Sequence, residues 1–186
     1  VTVSRKAESM GGSQVFLKAG ETFSLDELMR AALVESANDA AFAVAEHTAG
    51  SSDEFVKRMN AKARALGMPD TEFHCVHGLP PAKGGVDNIT TCNDMIRLAR
   101  EALQHPQILE WTSIEHATFR SGTLSISNKN KLVGRVPGVD GLKTGYTRRA
   151  GFNIVATAKT GDRRLIVVVL GSPESRVRNG FAADKF

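Results

Sequence analysis

The chain has 186 residues and a net charge of +4, from 24 Lys and Arg against 20 Asp and Glu. Hydrophobic residues make up 41 % and charged residues 24 %, an ordinary globular composition that excludes a disordered chain. The longest apolar run, Leu165 to Leu170, is far short of the ~18 residues of a spanning helix. The basic residues are scattered, and one Trp and one Tyr leave little for base stacking, so no nucleic-acid partner is expected.

Residues 1–23 are short, Gly-containing and partly alternating, with Val15, Leu17 and the turn Ala19-Gly20, and predict strand and loop. The start, Val1-Thr2-Val3-Ser4, has no signal pattern and reads as the middle of a strand. Residues 24–112 predict helices. Ser24-Leu25-Asp26-Glu27 and Ser51-Ser52-Asp53-Glu54 are capping boxes, each followed by apolar residues at helical spacing. Between them lies the Ala-rich stretch Asp39 to Ala49. A further helix starts near Thr91 and ends before His105-Pro106.

Residues 113–171 predict antiparallel strands. Gly151 to Ala158 and Arg164 to Leu170 are β-rich runs joined by Lys159-Thr160-Gly161-Asp162-Arg163. The second run is apolar throughout, which predicts a central strand covered on both faces. After Pro173 a last helix begins. Helices plus an antiparallel sheet make the α+β class, with a helical subdomain over 24–112 and a sheet subdomain over 1–23 and 113–186.

Cys75 and Cys92 fit no zinc spacing and read as two small buried side chains, with a disulfide left open. His74 and His77 have i, i+3 spacing, but no other Cys/His cluster completes a metal site, and a structural hydrogen bond is the better reading. No cofactor and no metal are expected.

Two motifs carry chemistry. Ser36-Ala37-Asn38 falls between two helices, where a hydroxyl and an amide can point into a cleft; Ser and Asn are also the favoured N-cap residues. Lys143-Thr144-Gly145 sits on a strand, where the ammonium supplies charge, the hydroxyl donates and Gly lets a ligand approach the backbone. A phosphate-binding loop would need Gly before Lys, and this chain has Leu142. A second Lys159-Thr160-Gly161 reads as turn chemistry between strands.

In that order, 107 positions apart (143 − 36), the two are the second and third elements of the S-x-x-K, S-D-N, K-T-G set. With Phe16-Leu17-Lys18, His77-Gly78-Leu79 and Val139-Asp140-Gly141-Leu142, they make a chain that closely resembles the low-molecular-mass penicillin-binding proteins, serine D-alanyl-D-alanine carboxypeptidases. The resemblance covers nearly all 186 residues. It implies a β-lactamase/transpeptidase-like fold, incomplete at both ends: no serine here has Lys three residues later, and Ala182 to Phe186 reads as a helix stopped in progress. The nucleophile and its base are therefore expected upstream of the region matching Val1.

The same resemblance implies that Ser36 relays a proton to the leaving amine and Asn38 bonds the substrate carbonyl. It assigns positive potential to Lys143, the substrate carboxylate to Thr144, and one arm of the oxyanion hole to the Tyr146 N–H, with Gly145 a further substrate-binding candidate between them. Arg178 is a carboxylate-binding candidate, with Arg176 its rival. The expected partners are a peptidoglycan stem peptide ending in D-Ala-D-Ala and β-lactam antibiotics. The expected place is the periplasmic or extracytoplasmic cell envelope, with peripheral membrane association through a C-terminal segment outside this chain. A non-catalytic peptidoglycan-binding module, and a DD-endopeptidase or β-lactamase on the same scaffold, are the alternatives.

Overall fold

Local side-chain chemistry sets the helix starts. The computed structural model describes residues 1–81 and 83–186. In it α1 (Arg5–Glu8) is followed by α2 (Leu25–Arg30), a π-helical turn (Ala31–Glu35), α3 (Asn38–Ala49), α4 (Ser52–Ala65), α5 (Cys92–Ala102) and α6 (Pro106–Thr112). The Ser24 hydroxyl accepts the Glu27 N–H at 3.1 Å while the Glu27 carboxylate accepts the Ser24 N–H at 3.0 Å, a closed capping box. Ser51 and Thr91 cap α4 and α5 in the same way, but Glu54 turns its carboxylate to Lys57 at 2.9 Å and leaves the second box half made. Pro106 stands in the first turn of α6, where its missing N–H costs nothing, so a new helix begins where the previous one ends.

Residues 1–23 are less extended than their alternation suggests. Their only strand-like pairing among the described residues is a bridge between Thr2 and Thr22. The Ser4 hydroxyl accepts the Ala7 N–H at 3.0 Å and starts α1 instead.

The strands are β1 (His116–Phe119), β2 (Leu124–Ser127), β3 (Val139–Thr147), β4 (Gly151–Thr160) and β5 (Arg163–Ser172), with α7 (Ser175–Ala183) after them. β1 and β2 form a separate hairpin, and β3-β4-β5 is an antiparallel sheet in chain order. Lys159-Thr160-Gly161 is turn chemistry, with Gly161 at φ +58 between β4 and β5. The expected central position of Leu165 to Leu170 is corrected: β4 is central, and β5 is an edge strand among the described residues. Its apolarity on both faces has another cause. Ile166 and Val168 pack toward α5 and α6, while Val167 and Val169 pack toward α7.

Three apolar clusters result. The first joins α1–α3 and the hairpin through Leu17, Leu28, Val34, Phe42, Phe119 and Ile126. The second lies between the sheet and α7, and the third between the sheet and α5–α6. The hairpin thus gives its buried residues Phe119 and Ile126 to the cluster of α1–α3. The cysteines are free thiols; Cys75 is half-buried and Cys92 exposed, against the expectation that both are buried. No helix among the described residues is long and apolar enough to cross a membrane.

Candidate active site

The stretch before Ser36 leaves α-helical geometry. Residues Ala31–Glu35 form a π turn, and Ser36 follows at φ +63, left-handed for a residue with a side chain. Such conformations cost about 1–3 kcal/mol and persist only where the surroundings hold them. The N-cap of α3 is Ala37, with no side-chain capping bond. Neither Ser36 nor Asn38 is spent on capping.

The Ser36 hydroxyl instead accepts a hydrogen bond from Lys143 Nζ at 2.6 Å. Lys143 Nζ also donates to the Thr144 carbonyl at 2.9 Å. Burial lowers the Lys143 ammonium from 10.5 to about 8, and repulsion from the Lys129 ammonium adds to it. Two motifs far apart in sequence therefore meet through one lysine with a weakened hold on its proton.

Asn38 is held from the other side. Its N–H donates to the Ser13 carbonyl at 2.8 Å and its Nδ2 to the Gly11 carbonyl at 2.9 Å. An amide nitrogen carries two hydrogens, which leaves one hydrogen and Oδ1 for a ligand. The next residue, Asp39, is 1 % exposed, and its carboxylate accepts the N–H groups of Val15, Leu17 and Ala40 at 2.9–3.2 Å. Gly12 must be glycine here, since a Cβ would lie 2.7 Å from Asn38 Nδ2 and its φ is +75.

On β3, Lys143, Thr144 and Gly145 line an open groove of about 640 Å³, together with Asn88, Thr90 and Met95. A Cβ on Gly145 would meet nothing within 4 Å, so a ligand can reach the strand there. Tyr146 is 59 % exposed and its ring stacks on Phe152 at 4.2 Å. A larger hollow of about 800 Å³, lined by Asn60, Arg64 and Thr71, bears none of the motif residues; the 640 Å³ groove carries Lys143, Thr144 and Gly145, while Ser36, Asn38 and Tyr146 are not part of its lining.

Arg178 is not brought to this groove. It is 5 % exposed, donates Nη1 to the Asn153 carbonyl at 3.1 Å and Nε and Nη2 to Asn179 Oδ1, and lies 6.0 Å from the Phe152 ring centre. It ties α7 to β4 instead. Its rival Arg176 is exposed on α7. His77 Nδ1 accepts the Leu79 N–H at 3.0 Å and its ring stacks with Phe42. Residues that motif reading missed also stand here. Glu35, next to Ser36, pairs its carboxylate with Lys129 and accepts the Ser127 N–H at 3.1 Å. The only sequence signal was an acid adjoining the motif serine.

A family profile described as D-alanyl-D-alanine carboxypeptidase, peptidase S11, matches residues 1–174. The chain belongs to this family. Among curated family members, DacF of Bacillus subtilis (strain 168), a D-alanyl-D-alanine carboxypeptidase, is 39 % identical over 182 residues, which are 96 % of this chain and 46 % of the relative. Among solved structures, penicillin binding protein 6B from Escherichia coli is 37 % identical with a TM-score of 0.87, over 97 % of this chain and 57 % of that one. Penicillin-Binding Protein D2 from Listeria monocytogenes, in its ampicillin-bound form, is 32 % identical with a TM-score of 0.83, over 99 % and 74 %. The chain spans about half the length of the curated relatives it matches. The α+β fold, an antiparallel sheet flanked by helices, is the family's penicillin-binding, transpeptidase-like fold.

Proposed function

We propose that this chain carries the substrate side of a serine D-Ala-D-Ala carboxypeptidase site, which removes the terminal D-alanine from peptidoglycan stem peptides through an acyl-enzyme. The observation that carries the reading is the 2.6 Å bond from Lys143 Nζ to Ser36 Oγ, made across 107 positions. A lysine titrating near 8 can give up and regain a proton at working pH, and through the Ser36 hydroxyl it can pass that proton to a leaving amine. No serine of residues 1–186 has Lys three residues on, so in this reading the nucleophile and its base come from chain outside these residues.

The other roles follow from position. Asn38 offers its free amide hydrogen to the substrate peptide carbonyl. Thr144, beside the ammonium, receives the terminal carboxylate. Open space over Gly145 admits an extended peptide along β3, which among the described strands pairs only with β4. The Tyr146 N–H stands on the same strand as one oxyanion donor. Arg178 stays outside this proposal, since three of its five N–H donors bond to Asn153 and Asn179 and the side chain does not line the groove. β-Lactams, as mimics of the dipeptide, enter the same groove, and the substrate places the work in the cell envelope, outside the cytoplasm. The helical and sheet parts are read as two subdomains of one catalytic domain, with the cleft between them.

The test is D-alanine release from a pentapeptide ending in D-Ala-D-Ala, and labelling by a fluorescent penicillin, in the full protein that carries S-x-x-K. Ser36→Ala should slow release by roughly 10²–10⁴-fold. A full protein that neither releases D-alanine nor takes the label refutes the reading. Binding of the pentapeptide without release would select the alternative, a module that binds the peptide without cutting it.

A further inference from the structure

We propose that the turn Asn128-Lys129-Asn130 is the positioning element of the site, setting Ser36 against Lys143 by gripping both sides of the cleft at once. The proposal rests on reading Ser36 and Lys143 as the working pair. The turn follows β2, on the side of the first core, and precedes β3.

Toward β3, Asn130 is 2 % exposed and donates Nδ2 to the Gly141 carbonyl at 3.0 Å, two residues before Lys143. Its Oδ1 accepts the Leu132 N–H at 3.1 Å. Asn128, 3 % exposed, donates Nδ2 to the Thr112 and Ile114 carbonyls at 2.9 and 2.8 Å, and its Oδ1 accepts the Asn130 N–H at 2.9 Å. Thr112 Oγ1 in turn donates to the Asp140 carbonyl at 2.9 Å. The carbonyls of Asp140 and Gly141 are thus both held where the β3–β4 register shifts between Val139 and Gly141. Such an irregularity re-aims the side chains that follow it, so holding it fixes the direction of Lys143.

Toward Ser36, the Lys129 N–H donates to the Val34 carbonyl at 3.1 Å, and its ammonium pairs with the Glu35 carboxylate. Val34 and Glu35 are the two residues before Ser36, whose left-handed conformation needs such support. Buried amides are costly to leave unpaired, and those of Asn128 and Asn130 are bonded within and next to the turn, to the end of α6 and to β3. The Lys129 ammonium acts on Lys143 by repulsion; Lys129 is itself paired with Glu35, and Asp140, three residues before Lys143 on β3, is paired with Arg164 at 2.7 Å.

The test compares Lys129→Met, Lys129→Arg and Asn130→Ala in the full protein. It reads the Lys143 ammonium titration by NMR of isotope-labelled lysine, with the thermal midpoint beside it. The Lys129 side chain is 40 % exposed, so Lys129→Met keeps the fold. It should move the Lys143 midpoint up by roughly half to one pH unit, and Lys129→Arg should leave it in place. Asn130→Ala frees the Gly141 carbonyl and should also raise the midpoint as water reaches the ammonium. If Asn130→Ala unfolds the protein, the Lys129 variants decide alone. A midpoint unmoved by Lys129→Met, or moved equally by Lys129→Arg, overturns the proposal. The titration involves no D-alanine chemistry, so its failure is distinct from that of the carboxypeptidase reading, which shows as absent D-alanine release.

Discussion

Lys143 links the electrostatics of the cleft to the stability of the fold. Its ammonium titrates at about 8 rather than 10.5, through burial first and the Lys129 charge second. The native chain therefore holds this proton more weakly than the unfolded chain does. Below pH 8 both states are charged and the cost of the buried charge is fully present. Between pH 8 and 10.5 the unfolded state binds more protons, so native stability rises with pH across that window. Two and a half units at about 1.4 kcal/mol each give roughly 3 kcal/mol, less what the partial exposure of the residue screens. The assay is urea unfolding of the wild type and Lys143→Met from about pH 7 to about pH 11, taking their difference so that other titrations cancel. Wild-type stability relative to the variant should climb by about 2–3 kcal/mol over that range. A difference that stays flat or falls with pH refutes a charged ammonium enclosed beside Ser36.

Two further outcomes are expected. Gly141→Ala places a Cβ 2.5 Å from Thr112 Oγ1 and 3.2 Å from Thr112 Cβ, at the irregularity that opens β3. It should cost about 1–3 kcal/mol in denaturant unfolding, and a neutral result would show that the strand start has slack. Both cysteines should count as free thiols without reductant. Burial raises the Cys75 thiol, but the His77 ring and the Gly78 and His77 N–H groups outweigh it, so its alkylation should reach half-rate below pH 9.0. An intact disulfide, or a half-rate pH above that value, would contradict the geometry around the sulfur.

Much of the fold could be read along the chain because its causes are local. Ser24, Ser51 and Thr91 start helices through bonds reaching three residues ahead, and Gly161 turns β4 into β5 within a few residues. Where the reading went astray, the deciding contact was distant. Leu165 to Leu170 is apolar on both faces because α5–α6 and α7 flank it, yet its place at the sheet edge depends on which strands pair with it. No periodicity reports that. The burial expected of Cys75 and Cys92 failed for the same reason, since it depends on what packs over residues 75 and 92 and not on their type.

For the site, the order of Ser36, Asn38, Lys143, Thr144 and Gly145 was legible as motif, and with it the family. Composition excluded other classes, and the local signals set out the helices and strands. The tertiary structure alone brought Lys143 Nζ to Ser36 Oγ, turned Arg178 toward β4, bonded Asn130 to Gly141 and paired Lys129 with Glu35. The physical reason is that motif chemistry is written in residue types, whereas proton affinity depends on burial and on charges supplied by distant segments. For Lys143 those are the enclosing cleft and Lys129.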